Sequence, residues 1–389
     1  MLIFKFQGRR ATKWRATRGT TRGAPLARRL LRNKLSAPLA ALLALALMTS
    51  PPARADEEAA GKSQLLYTSV PKSLLAPLRK SFEKNHPGWR LRVFRARAGT
   101  VIDRIETEWR EGRARADILW AGDASLFAAY KKAGRLSPYS PPGASAVPPD
   151  LKDPGGFYHA VRLFHLILAH NKSSRAPAPK GFADLARPIP RKKGPGPGPL
   201  VLPSPVKSGA SLAGFFAWSR APDLGWKFIR RLILGHPEFG DTFGAAAELL
   251  KKNEARAAVM ADFIAYPHLK NRPGIEIVWP AEGAITISGP AGIVKKSGPA
   301  GIAGKAAENA GARRLADFLL SKPAQEIIRK SGLYAARTDI PPPEGRPPLD
   351  KIKRMPVAWE ELPAAERELL SQVGGLISLA KRNEKKRKK

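Results

Sequence analysis

Apolar and polar positions along the middle of the chain switch repeatedly between two periods, and the switching predicts the architecture. "QLLYTSV", residues 64–70, is an apolar run of strand length, and Pro71 ends it. In "KSLLAPLRKSFEKNH" Leu74, Leu78 and Phe82 recur four apart, the spacing of one helix face. "WRLRVFRAR", residues 89–97, alternates as a strand does and ends at Ala98-Gly99-Thr100. A second helix is predicted through "VIDRIETEWREG", with Ile102, Ile105 and Trp109 on one side. "ADILWAG", residues 116–122, predicts a third strand, and "SLFAAYKKAG" a third helix closed by Gly134. Three such alternations within about 70 residues predict an α/β sheet of parallel strands joined by crossover helices.

Beyond this region, "GFYHAVRLFHLILAHN", residues 156–171, is a β-rich run longer than one lobe's strand needs. "PRKKGPGPGP", residues 190–199, reads as an exposed loop, because alternating Gly and Pro deny both helix and ladder hydrogen bonds. "LVLPS" reads as a strand leading into "PSPVKSGASLAGFFAW", residues 203–218, with helices at about 210–220 and 223–234. "ARAAVMADFIAY" and "GIEIVWP" read as two more strands, and "GARRLADFLLSKPAQEIIRKSG" as a helix pair broken at Pro323. Residues 381–389, within "KRNEKKRKK", read as a disordered basic tail.

Composition adds compartment and class. With 389 residues, 43% of them hydrophobic, two lobes are expected. Lys and Arg number 68 against 32 Asp and Glu, a net charge of +36, and twelve of those charges fall in residues 1–55, which hold no acid. There, Arg28, Arg29, Arg32 and Lys34 precede an apolar run, Ala37–Met48, and Ala53-Arg54-Ala55 follows. That order is a signal peptide over 1–55, cleaved near Ala55, and the run is shorter than the roughly 20 residues a membrane span needs. Arg28-Arg29 is a weak twin-arginine signal, and a periplasmic location is expected. The absence of cysteine excludes disulfides, thiolate metal sites and cysteine nucleophiles.

A basic chain can be a nucleic-acid or polyanion binder. Here the basic residues are scattered, no nucleic-acid motif is recognisable, and export separates the chain from DNA. An enzyme is also disfavoured. His86, His159, His165, His170, His236 and His268 form no HExxH spacing, and no GxSxG elbow occurs. Binding without turnover and without a cofactor is the expectation.

Five segments carry a resemblance: "LLYTSVPKSLLAPLRKSFEKNHPGWRLRVFRARAGT", "ADILWAGDASLFAAYKKAGRLSPY", "FADLARP", "PSPVKSGAS" and "RRLADFLLSKPAQEIIRKSGLYAARTDI". In order and spacing the chain resembles the periplasmic solute-binding proteins of ABC importers. The likeness is to the branch of ferric-ion binders and of relatives that take phosphorylated or phosphonate-bearing molecules. The resemblance implies a type II periplasmic-binding fold: two lobes, each a mainly parallel sheet flanked by helices, joined by hinge strands. Lobe 1 would comprise 64–164 plus 285–340, lobe 2 169–280, and a helical segment 341–380 would pack on a lobe. It also implies a monomer that delivers a small ligand to an inner-membrane permease.

Within that frame, the ferric binders use a histidine, a glutamate and a tyrosine pair where this chain has Pro71, Gly122 and Phe263-Ile264, with Tyr266 nearby. Fe(III) needs hard oxygen donors, so ferric binding through a non-standard site is the lesser alternative. The Ser-Gly-Ala that holds an anion in those relatives stands here as Ser208-Gly209-Ala210. Free N–H groups and the dipole at a helix start suit an anion, although serine also caps helices routinely. Thr68, Ser69, Gly99, Thr100, Asp123 and Ser125 follow predicted parallel strands, at the edge where open α/β sheets bind ligands. Asp123 and Asp262 could accept from a ligand amine or sugar hydroxyl; a cap for Asp123 and a salt bridge between Asp262 and Arg162 are the structural alternatives. Arg162 is otherwise a candidate to clamp an anion. A phosphonate or phosphate ester is the expected ligand.

Overall fold

The computed structural model of the chain describes residues 62–122, 124–174, 176–188, 198–296 and 305–388. The expected leader, Asp123 and most of the Gly-Pro loop lie outside the described residues.

Three strand–helix units open the fold. β1 (Lys62–Thr68) leads into α1 (Lys72–Asn85), which buries Leu74, Leu78 and Phe82 as their four-residue spacing dictates. β2 (Trp89–Arg95) leads into α2 (Ala98–Arg110), which buries Val101, Ile105 and Trp109. β3 (Ile118–Trp120) is short, because the expected run 116–122 spends its last residues turning at Gly122, φ +82°. α3 (Ala124–Lys132) and β4 (Leu136–Ser137) follow, then the long β5 (His159–Asn171), buried along almost its whole length.

The second half repeats the pattern. β6 (Leu200–Pro203) is followed by α4 (Gly209–Arg220), α5 (Gly225–Leu234), β7 (Glu238–Gly240), α6 (Phe243–Lys251) and β8 (Ala257–Ala261). The strand expected through "ARAAVMADFIAY" stops at Ala261, and α7 (Asp262–Leu269) takes over. An acidic residue in the first turn favours that helix start. β9 (Ile275–Val278) and β10 (Ile285–Val294) complete the main strands. β10 was hidden in the sequence by Gly289-Pro290, which reads as a break; a bulge between these two residues absorbs them. α8 (Lys305–Leu319) and α9 (Lys322–Lys330) are separated at Leu320-Ser321, with Ser321 capping α9 and Pro323 in its first turn rather than at the expected break, and β11 (Tyr334–Ala335) pairs with β5.

The strands join in the order β2-β1-β3-β10-β5-β8-β6-β7. β1, β2 and β3 are mutually parallel, as are β6, β7 and β8, while β10 and β5 run antiparallel between the two sets. α10 (Leu362–Lys388) buries Leu369, Val373 and Ala380, and packs against α4 and α5 as well as α3. Residues 381–388, expected to be disordered, continue this helix. Lys, Arg and Glu are good helix formers, so an anchored helix extends through them. Among the described residues no helix is long and apolar enough to cross a membrane.

Candidate ligand-binding site

Strand direction decides where the site lies. β3 is antiparallel to β10, β10 to β5, and β5 to β8. The carboxyl ends of β1–β3 therefore face those of β6–β8. Leu119 of β3 pairs with Gly292, and Ala261 of β8 pairs with Leu166, itself opposite Ile285. Seven residues of β10 separate the two edges, roughly 23 Å at about 3.3 Å per residue. The helices α1, α2, α4 and α7 all begin at these edges, so their positive dipole ends gather around the gap. Sheets of this kind bind ligands outside such carboxyl ends.

The hinge strands supply the floor of the gap. Arg162, Phe164 and Leu166 alternate onto one face of β5 and pair across with Gly289, Ile287 and Ile285. Leu166 lies under α4, since a Cβ added at Gly214 would come within 3.1 Å of its Cδ1. Arg162 lies across Gly289: a Cβ there would stand 3.0 Å from its Cγ, Nε and Cζ. Glycine at 289 is what leaves room for that side chain. Its Nε is shielded from solvent without a hydrogen-bond partner, and no described carboxylate pairs with the guanidinium. Burial lowers its pKa to about 10, so the charge persists at neutral pH. The enclosed Nε lies on the floor between the two edges.

Asp262 is not its partner. One carboxylate oxygen meets Arg346 Nη1 at 2.8 Å, the other accepts from the His165 N–H at 2.8 Å, and the side chain is 0% exposed. The acid expected to meet a ligand, or Arg162, instead ties the end of β8 to the backbone of β5 and to Arg346. Tyr266 belongs to the same cluster: its hydroxyl accepts from Trp279 Nε1 at 3.0 Å and the Arg346 guanidinium lies 4.9 Å from its ring.

The remaining expected residues divide. Ser208 caps α4, its Oγ accepting from the Ser211 N–H at 3.2 Å, which leaves the Gly209 and Ala210 N–H groups without intrahelical acceptors. Gly209 is exposed and has open space where a Cβ would stand, and Ala210 is half-buried. Ser211, buried, donates to the Pro203 carbonyl. Thr68 is withdrawn from the gap. Its hydroxyl donates to the Trp120 carbonyl at 2.7 Å and accepts from the Val70 N–H at 3.2 Å, tying the ends of β1 and β3 together. Ser69 is half-buried beside it, Gly99 and Thr100 are exposed in the uncapped first turn of α2, and Ser125 is buried in α3. Asp123 lies outside the described residues.

Sequence reasoning overlooked two features. Arg95 and Arg97 are exposed at the end of β2, with Arg95 Nε donating to the Val70 carbonyl at 3.2 Å. Phe164 of β5 and Phe263 of α7 meet edge to face, 5.2 Å between ring centroids. The period-two alternation of "RLF" carries the signal for Phe164, and that of "RVFRAR" for the arginines.

Comparison with known proteins gives the family and the fold. The model of the family "Bacterial extracellular solute-binding protein" matches residues 64–334. A probable ABC transporter periplasmic-binding protein of Sinorhizobium fredii, y4fP, is 29% identical over 102 residues, 26% of this chain; the match spans only 28% of that relative's length. Among solved structures, iron-bound HitA from Pseudomonas aeruginosa superposes with a TM-score of 0.64 at 18% identity, covering 80% of this chain and 99% of its own. AfuA from Actinobacillus pleuropneumoniae, with fructose-6-phosphate bound, gives 0.63 at 21% identity, covering 82% and 99%. A Bordetella ferric binding protein gives 0.65 at 19% identity, covering 81% and 99%. The two-lobed type II periplasmic-binding fold of these proteins is the fold described above, and the chain belongs to the bacterial extracellular solute-binding protein family.

Proposed function

We propose that the protein is the exported solute-binding component of an ABC importer, and that it traps a small organic phosphonate or phosphate ester between its two lobes. The observation that carries this reading is Arg162, a half-buried guanidinium with its Nε enclosed and no described carboxylate paired to it, set between two opposed edges of helix N-termini. Its fork geometry suits the paired oxygens of a phosphoryl group. The Gly209 and Ala210 N–H groups would approach the same anion from lobe 2 (169–280). Ser69, Thr100 and Ser125 would approach from lobe 1 (64–164 plus 285–340). β5 and β10 would act as the hinge, since ligand contacts from both lobes exist only in the closed form.

AfuA, with its sugar phosphate, offers a relative whose ligand has this chemistry. Iron is the poorer cargo. Pro71, Gly122 and Phe263-Ile264 offer no donor atoms on their side chains, and Tyr266 is bonded to Trp279. The closed, loaded protein would dock on an inner-membrane permease, as a monomer and without chemistry of its own.

Native mass spectrometry of protein purified gently from the periplasm tests the reading. A retained mass that fragments to phosphate or phosphonate ions is expected. A retained iron adduct, or a retained organic cation, would overturn it.

A further inference from the structure

Arg162 accounts for an anion, and the strand face beside it accounts for what the anion is attached to. Phe164 stands two residues along β5 on the same face, largely buried, with its ring 5.8 Å from the Arg162 guanidinium. Phe263, in the first turn of α7, meets Phe164 at an interplanar angle of 71° and keeps part of its surface open. Ile287 pairs across from Phe164 and extends the apolar floor. Asp262, adjacent to Phe263 and read in the sequence, with Asp123, as an acceptor for a sugar hydroxyl or an amine, is bonded instead to Arg346 and the His165 N–H. Beside the cation on this strand face stand a buried ring, Phe164, and a part-open one, Phe263.

We propose that the ligand is an aryl phosphonate or aryl phosphate, its phosphoryl oxygens on Arg162 and its ring packed on Phe164 and Phe263. The inference rests on Arg162 as the anion's partner. Successive positions on one strand face lie about 6.6 Å apart, a spacing that a phosphorus atom and a directly attached ring span without a linker. A ring entering beside the Phe164–Phe263 pair gains an offset or edge contact in addition to the area it buries.

Calorimetry with phenylphosphonate, methylphosphonate and glycerol 3-phosphate separates the possibilities. Phenylphosphonate is expected to bind about tenfold or more tighter than methylphosphonate, the ratio that one aromatic contact with its buried area supplies. Phe263→Ala should bring that ratio close to one while leaving methylphosphonate binding unchanged. Phe263→Leu, which keeps most of the volume at a partly open position, should lose part of the ratio. Glycerol 3-phosphate or methylphosphonate binding as tightly as phenylphosphonate would overturn the aryl assignment and leave the anion site standing, as would Phe263→Ala weakening all three equally. If none of the three binds, the anion site itself is wrong and the aryl assignment falls with it.

Discussion

His165 shows at the scale of one residue how this hinge treats charge. Its ring is fully buried, with neither nitrogen hydrogen-bonded, and sits 4.7 Å from the Tyr334 ring and 5.4 Å from that of Trp279. Burial, with Arg354 and Arg346 nearby, pushes its pKa down to about 3. A depressed pKa means that the unfolded chain binds the extra proton first. The stability of the neutral ring is complete above about pH 6.5 and is lost as the pH falls toward 3. His159, pushed down to about 4 by burial and Lys152, acts in the same sense. Asp262 acts oppositely. Burial raises it to about 6 despite Arg346 and two backbone donors, so its contribution is present at low pH and lost as pH rises through about 6. The histidines, with the wider gap to their unfolded values, dominate the balance. His165→Phe removes no hydrogen bond and keeps a ring between Tyr334 and Trp279. It should preserve the melting temperature near pH 7 and flatten its decline between about pH 6.5 and 5. A decline as steep as the parent's would show that His165 is not held neutral.

At the scale of an element, α4 separates stability from binding. Ser208→Ala removes the cap on the Ser211 N–H and should lower stability by about 1 kcal/mol. Gly209→Asp should do the reverse to the fold. No atom lies within 4 Å of the new Cβ, and a carboxylate in the first helical turn gains from the dipole by up to about 1 kcal/mol. The same carboxylate would repel an anion in a partly dry cleft, so phosphonate affinity should fall at least about thirtyfold while the melting temperature holds or rises. Unchanged affinity in a well-folded Gly209→Asp variant would reduce this helix start to a cap. Such local features were legible in the sequence because caps and apolar periods are local: Ser208 before an apolar helix, and Leu74, Leu78 and Phe82 along α1. Non-local pairing was not legible. Nothing near Asp262 announces Arg346, 84 residues later, and nothing near Thr68 announces the Trp120 carbonyl. Arg162 was readable as a candidate, but that Asp262 does not pair with it follows only from the bonds of Asp262 to Arg346 and the His165 N–H.

On the scale of the whole molecule, two antiparallel strands hold two parallel sets with their carboxyl ends opposed, and α10 lies against helices of both sets. Arg220 and Glu361, 3.0 Å apart and both half exposed, add little to that contact. If the chain is exported and cleaved after Ala55, N-terminal sequencing of the periplasmic protein should begin at Asp56, a few residues before β1. A start elsewhere would move the cleavage site, and full-length chain confined to the cytosol would remove the transport reading. The most direct test of the account is Arg162→Met, with stability and ligand affinity measured on the same sample. Methionine keeps most of the side chain across Gly289 and removes a half-buried charge with no described carboxylate partner. The account predicts a melting temperature equal to or above the parent's, together with a loss of phosphonate or phosphate-ester affinity of about thirtyfold or more, the scale of one desolvated charge pair. A variant that melts lower yet binds as tightly as the parent would contradict it.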